Sequence, residues 1–346
     1  MPRRGNTDRI RRFILENVSD YPADIVSRAV SEFGISRQAI HRHVGKLVSE
    51  GLLTATGKTR SRRYKLKILL AEQFFVDVAP NLSEDKLWRE KVKPLLGDLP
   101  VNVMDICHYG FSEMVNNVIE HSEGTTVVMS AELNAATVEL NVFDNGIGIF
   151  KKLKDELDLD DERHAILELA KGKLTTDPAR HTGEGIFFTS RLFDEYSILS
   201  GRLCFLHSES DRDWLIERAD SKTKGTKIFM SISMRSRRTT KAVFDRYSAK
   251  DGDYGFTRTR VPVALARYGD ESLVSRSQAR RVLARFDRFK EVLLDFRGVK
   301  SIGQAFADEI FRVYRYEHPE VELTWIRENK EVRGMILRAW TAAKDS

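Results

Sequence analysis

Over the first 70 residues the apolar positions recur in a helical period. Ile10, Phe13, Ile14 and Leu15 mark a short amphipathic helix, and Ile25, Val26, Ala29, Val30 and Phe33 mark a second that starts after Pro22 and stops at Gly34. Ser36 reads as the N-cap of a third helix, whose Ile40, Val44, Leu47 and Val48 recur at i, i+4, i+7 and i+8 and so share one buried stripe. The opposite face carries Arg37, Gln38, His41 and Arg42. Gly51 ends this helix, and the runs Leu52–Thr56 and Arg62–Leu66, divided at Gly57-Lys58, predict a hairpin with a basic tip.

Further along, the pattern predicts a long helix from near Pro100 through His121, a strand over 136–143, a helix opening at Gly183-Glu184-Gly185 and running to Arg191, and a strand over 227–232. The stretch Arg235 to Lys241 reads as a linker or an edge. Beyond it, strands over 260–265, 291–296 and 321–327 alternate with helices over 275–286, 304–317 and 331–343, the rhythm of a small α/β layer. The expected organisation is multidomain α+β, with units at 1–70, 83–235 and 250–346.

Composition narrows the classes. At 346 residues, and ~100–200 residues per domain, two or three domains are expected. With 41% hydrophobic and 31% charged residues, the chain can bury real cores, which excludes disordered and fibrous classes. No apolar run approaches the ~18 residues of a membrane span, and the start Met1-Pro2-Arg3-Arg4 lacks a signal-peptide stretch, so no membrane association and a cytoplasmic location are expected. Cys107 and Cys204 stand far apart and read as small core residues. The net charge of +6 is uneven: residues 1–70 carry +9 and the remainder −3. Such asymmetry points to a nucleic-acid-binding module, the alternative being a solvated basic face.

The helical order and the segment Gly34-Ile35-Ser36-Arg37-Gln38-Ala39-Ile40-His41-Arg42-His43-Val44 resemble a winged helix-turn-helix over almost the whole of residues 1–70. The resemblance implies double-stranded DNA as partner. It places Arg37, Gln38, His41 and Arg42 on the face that enters the major groove, and Arg60, Arg62 and Arg63 on a wing that meets phosphates, with Lys58 beside them. A winged helix used for protein contact is the competing reading.

Three motifs in the centre carry chemistry. Glu113 and Asn117 lie four apart on one helical face, where an amide oxygen can coordinate Mg²⁺ and a carboxylate can take a proton from a water or a hydroxyl. Asp144-Asn145-Gly146-Ile147-Gly148 follows a strand, so its carboxylate can accept from an exocyclic amine while the glycine backbone closes on a planar ring. His181-Thr182-Gly183-Glu184-Gly185 opens a helix whose N–H groups suit a phosphate, and Gly225-Thr226 comes later.

In this order the motifs resemble the GHKL ATP-binding superfamily, the Bergerat-fold α/β sandwich, over about 150 residues. The resemblance implies ATP and Mg²⁺ as cofactors, Asn117 as Mg²⁺ ligand, Asp144 as acceptor of the adenine amine, and Thr226 as its support through water. Gly146, Gly148, Gly183 and Gly185 shape the pocket, and Glu113 is the general base. It also makes Lys151 to Thr182 an ATP lid, in which Lys171, Lys173, Arg180 and His181 are cations; Arg180 or His181 is the one expected at the γ-phosphate, the others being solvated. His108, five residues before Glu113, is misplaced for an autokinase acceptor, whereas Glu113 to His121 is similar to the anti-sigma-factor type of serine kinase.

Leu294-Asp295-Phe296-Arg297-Gly298-Val299-Lys300-Ser301-Ile302-Gly303 resembles the STAS fold in a divergent STAS-like branch. The family's phosphorylatable serine falls on Gln304 or Ala305, so the acceptor is lost and a protein-interaction role is implied. Together these readings predict a DNA-binding regulator controlled by a GHKL ATPase, with slow ATP hydrolysis. The alternatives are a protein serine kinase acting on a separate partner and a DNA-associated ATPase in defence or DNA maintenance. Both module types often pair, so a homodimer is one expectation, although no heptad pattern supports it.

Overall fold

A computed structural model describes residues 2–174, 183–208, 212–218, 223–248, 255–267 and 271–342. The N-terminal part consists of α1 (Pro2–Asn17), α2 (Ile25–Phe33), α3 (Arg37–Ser49) and the antiparallel hairpin β1 (Leu53–Thr56) and β2 (Arg63–Leu66). Local chemistry sets the boundaries. The Ser36 hydroxyl accepts from Ala39 N–H at 3.2 Å, and Gly34 closes α2 in the left-handed region at φ 62°. Ile10, Ile14, Ile25, Ile40, Val44 and Leu47 join Leu53 and Tyr64 in a core of their own.

The rest is organised on a seven-stranded antiparallel sheet of order β3-β4-β5-β9-β6-β7-β8. After β3 (Leu70–Asp77) come α4 (Glu84–Leu87) and α5 (Lys93–Leu96), linked by a π turn, then α6 (Val101–His121), β4 (Thr126–Leu133) and β5 (Thr137–Asp144). Next are α7 (Ile149–Glu156), α8 (Glu162–Lys171), α9 (Gly185–Leu192), β6 (Glu195–Gly201), β7 (Leu203–Ser208), β8 (Arg212–Glu217) and β9 (Thr223–Ser233). The alternation in β4 and β5 sends Val127, Met129, Val138 and Leu140 to one buried face, and α6, with Ile106, Met114 and Val118 buried, packs on β5 and β9. Edge strand β3 lies almost wholly between the expected units 1–70 and 83–235.

Following α10 (Thr240–Tyr247), the C-terminal part alternates β10 (Arg258–Pro262), α11 (Arg276–Leu283), β11 (Glu291–Asp295), α12 (Gln304–Asp308), α13 (Arg315–Glu317), β12 (Glu322–Ile326) and α14 (Lys330–Ala342). Its three strands are parallel in the order β10-β11-β12, the small α/β layer expected. Buried side chains run without a break from the large sheet into this layer, so the two share one core.

The structure differs from the sequence reading in several places. Cys107 is buried, and burial pushes its thiol up to about 12, but Cys204 is only half-buried on β7. Thr226 lies within β9 and does not precede it. The stretch Arg235 to Lys241 is pinned, because Arg238 pairs with Asp194 at 2.9 Å and the Asn102 amide donates to the carbonyls of Ser236 and Arg238. No helix among the described residues is long and apolar enough to cross a membrane.

Candidate functional site

One face of α6, the end of β5, β9 and the start of α9 enclose a cavity of about 300 Å³. Glu113, Asn117, Asp144, Gly148, Gly183, Gly185 and Thr226 all line it, although 113 positions separate the first from the last. Met114, Val118, Ile147, Leu153 and Ile228 supply an apolar wall, the environment a planar base requires.

Asp144 ends β5 and is buried at 9% exposure. Its Oδ1 accepts from Gly146 N–H at 2.8 Å and from Thr226 N–H at 3.3 Å. Burial pushes its carboxyl above the usual aspartate value, and the bonds from Gly146 and Thr226 pull it back in part. Gly225 is required beside it: a Cβ there would lie 2.0 Å from the Asp144 carbonyl oxygen. Gly146 backs the aspartate and does not itself line the cavity. The Thr226 hydroxyl accepts from Ile149 N–H at 3.1 Å and also bonds Asp144, so it stands beside the carboxylate it was expected to support.

On α6, the Asn117 amide nitrogen is buried with no hydrogen-bond partner in the structure. An orphaned amide at the wall of a cavity is expensive unless a ligand meets it, and rotating the amide presents its oxygen at the same place. The residues therefore fit a hard cation such as Mg²⁺. Glu113, one turn earlier, reaches the start of α9, where a Cβ on Gly185 would lie 2.0 Å from its Oε2. Burial, with the Glu113 and Glu184 carboxylates nearby, pushes the Tyr109 phenol up, and both carboxylates line the cavity.

Some expected residues lie elsewhere. Arg180 and His181 fall outside the described residues. Lys171, read as a solvated lid cation, is instead fully buried at the end of α8 and faces away from the cavity, because Glu168 and the carbonyls of Arg281 and Ala284 hold its ammonium inside. His108 stacks on Trp88 at 4.8 Å and is no part of the cavity. Sequence reasoning missed Lys152, which lines the cavity with its side chain 15% exposed and pairs with Glu123 and Glu156, each at 3.5 Å. Its i,i+4 spacing to Glu156 was the available signal, hidden in a stretch where every charge looked solvated.

The N-terminal candidates lie apart from this cavity. Arg37, Gln38, His41 and Arg42 stand exposed on α3, and Arg62 and Arg63 are exposed at the hairpin; nothing is described of the Arg60 side chain. The Arg62 guanidinium lies 5.6 Å from the Tyr64 ring. Burial first, and then the cations Arg11, Arg42 and Lys46, lower the His43 imidazole below its usual value.

Residues 86–204 match the family model described as a histidine kinase-like ATPase domain, and residues 278–333 match that of a STAS-like domain of unknown function. No curated protein matches the chain. The protein thus carries a histidine-kinase-like (GHKL) ATPase domain and a C-terminal STAS-like domain. The first implies nucleotide binding, usually with Mg²⁺, and the second hints at protein interaction.

Proposed function

We propose that this protein is an ATP-dependent regulator that binds double-stranded DNA through its N-terminal helices and hairpin, read as a winged helix-turn-helix. The observation that carries the nucleotide half is the convergence of Glu113, Asn117, Asp144 and Thr226 on one cavity, with an unpartnered amide at Asn117. In this reading Asp144 receives the adenine amine and Thr226 fixes the aspartate. Asn117 holds Mg²⁺, which neutralises phosphate charge when bound. The backbone from Gly183 to Gly185 wraps the phosphates, and Glu113 takes the proton from the attacking water. Turnover is slow.

The DNA half is supported by the +9 balance of residues 1–70 and by the exposure of Arg37, Gln38, His41 and Arg42 on α3 and of Arg62 and Arg63 at the hairpin. The STAS-like unit is the surface for a protein partner, and it is not a phospho-acceptor. Ser301 stands half-buried in the turn before Gly303, and α12 opens with Gln304.

Sequencing the DNA retained by the full chain with and without Mg-ATP tests the whole reading: one enriched site is expected, with occupancy that changes with nucleotide. Replacing Arg62 and Arg63 by Ala should weaken all duplexes alike and flatten log K against log salt by about 0.9 per lost phosphate contact. No salt-dependent affinity for any duplex would make the N-terminal unit a protein-binding module. Transfer of phosphate to a protein serine, instead of release of free phosphate, would favour the kinase alternative.

A further inference from the structure

The wall of the cavity formed by the end of α8 and the start of α9 rests on the C-terminal unit. Lys171, the last residue of α8, has no exposed surface, and its ammonium donates to Glu168 Oε1 at 2.6 Å and to the carbonyls of Arg281 and Ala284 at 2.9 and 3.0 Å. Arg285 completes the cluster, donating from Nε to Glu168 Oε2 at 2.6 Å and from Nη1 to the Lys173 carbonyl at 3.1 Å. The Thr259 hydroxyl on β10 donates to the Lys171 carbonyl at 2.6 Å, and Lys173 returns a bond to the Arg288 carbonyl at 2.8 Å.

The α9 side meets the same unit through aromatic rings. Phe187 lies 4.6 Å from Phe256, and Gly172 fits between them, since a Cβ there would come 2.5 Å from Phe256 and 2.9 Å from Phe187. Leu174 N–H donates to the Gly183 carbonyl at 2.9 Å, which ties the two arms together. Leu169, Leu174, Gly183 and Phe187, all on these arms, line the cavity.

Adhesion between two units needs only apolar packing, whereas a buried cluster of two cations and one carboxylate is costly to desolvate and repays this only in one geometry. Burial drives the Lys171 ammonium down to about 8 against the pull of Glu168. Lys173 and Arg285, which meet across the seam, both hold left-handed backbone, at φ 51° and 63°. Strain in non-glycine residues persists where surrounding contacts impose it.

We propose that Arg285 and Phe256 are positioning residues of the nucleotide site: the C-terminal unit holds the α8–α9 wall in the shape that receives the nucleotide. This rests on the nucleotide reading above. Because coupling between two sites is reciprocal, a partner that moves the turn 284–289 changes ATP affinity, and ATP changes affinity for that partner by the same factor.

The test measures Mg-ATP affinity by calorimetry on the full chain, below the melting transition of every variant. Arg285→Ala is expected to weaken binding about tenfold, within the usual range of coupling, and Arg285→Lys to recover part of it. Arg280→Ala is the control: its side chain is exposed and pairs with Glu309 inside the C-terminal unit at 2.7 Å, so wild-type affinity is expected. Should Arg285→Ala not fold, Phe256→Leu takes its place with the same expectation. Wild-type affinity in the folded Arg285→Ala or Phe256→Leu variant overturns the proposal, as does an equal loss in Arg280→Ala. Failure of the unaltered chain to bind Mg-ATP instead refutes the nucleotide reading, and the proposal falls with it.

Discussion

The cavity and the seam beside it both bury polar and charged groups, and they treat them oppositely. At the seam the charged groups are answered: Lys171 has three acceptors, Glu168 receives both Lys171 and Arg285, and the carbonyl of Lys173 is used. In the cavity, the Asn117 amide nitrogen has no partner, and burial raises the Asp144 carboxyl above its usual value. The seam's charges are satisfied within the fold, whereas the Asn117 amide is left unsatisfied at the wall of a cavity, where a bound group can meet it.

This contrast has consequences of graded size. Lys171→Ala removes the ammonium that bridges Glu168 to two carbonyls, and breaking such a buried pair typically costs about 3–5 kcal/mol, to be read in urea denaturation. A loss below 1 kcal/mol would put the seam in the same class as a surface ion pair. Glu113→Ala should leave the urea midpoint where it was, yet lower phosphate release by about 10²–10⁴, the usual contribution of a positioned general base. A large fall in stability with unchanged turnover would make Glu113 part of the fold.

A smaller effect is expected at Asp144. Asp144→Asn mismatches the adenine amine and should weaken Mg-ATP by about 1–3 kcal/mol, measured by calorimetry. Its stability signature has a definite sign. Burial raises the folded carboxyl above the usual 3.8, so between these values the folded state holds more protons than the unfolded one, and stability falls as pH rises through that window. The Asn variant escapes that loss, so it should be the more stable protein at neutral pH, with the gap closing on acidification. A gap of the opposite sign would mean that Asp144 is held by its hydrogen bonds more strongly than burial penalises it.

The cavity was far more legible in the sequence than the seam. Glu113 and Asn117 are set by helical spacing, and Asp144, Gly183 and Gly185 by short boxes, so local rules reach them without knowledge of the fold. Lys171 reads as solvated because its acceptors at Glu168, Arg281 and Ala284 include two more than a hundred residues away. The parallel layer of β10, β11 and β12 followed from alternation, but β3 did not: Glu72, Gln73 and Phe75 are all exposed at the sheet edge, which erases the period-2 signal. Lys152 shows the same limit from the other side, a cavity residue disguised by the charges around it.

The central claim is that the orphaned Asn117 amide is a ligand-binding group, and calorimetry of Mg-ATP into the full chain and into Asn117→Ala tests it. The account predicts saturable, Mg²⁺-dependent binding to the unaltered chain, its loss in the variant, and a melting temperature that does not fall. Equal Mg-ATP affinity in the two proteins, or a variant that melts well below the parent, would contradict it.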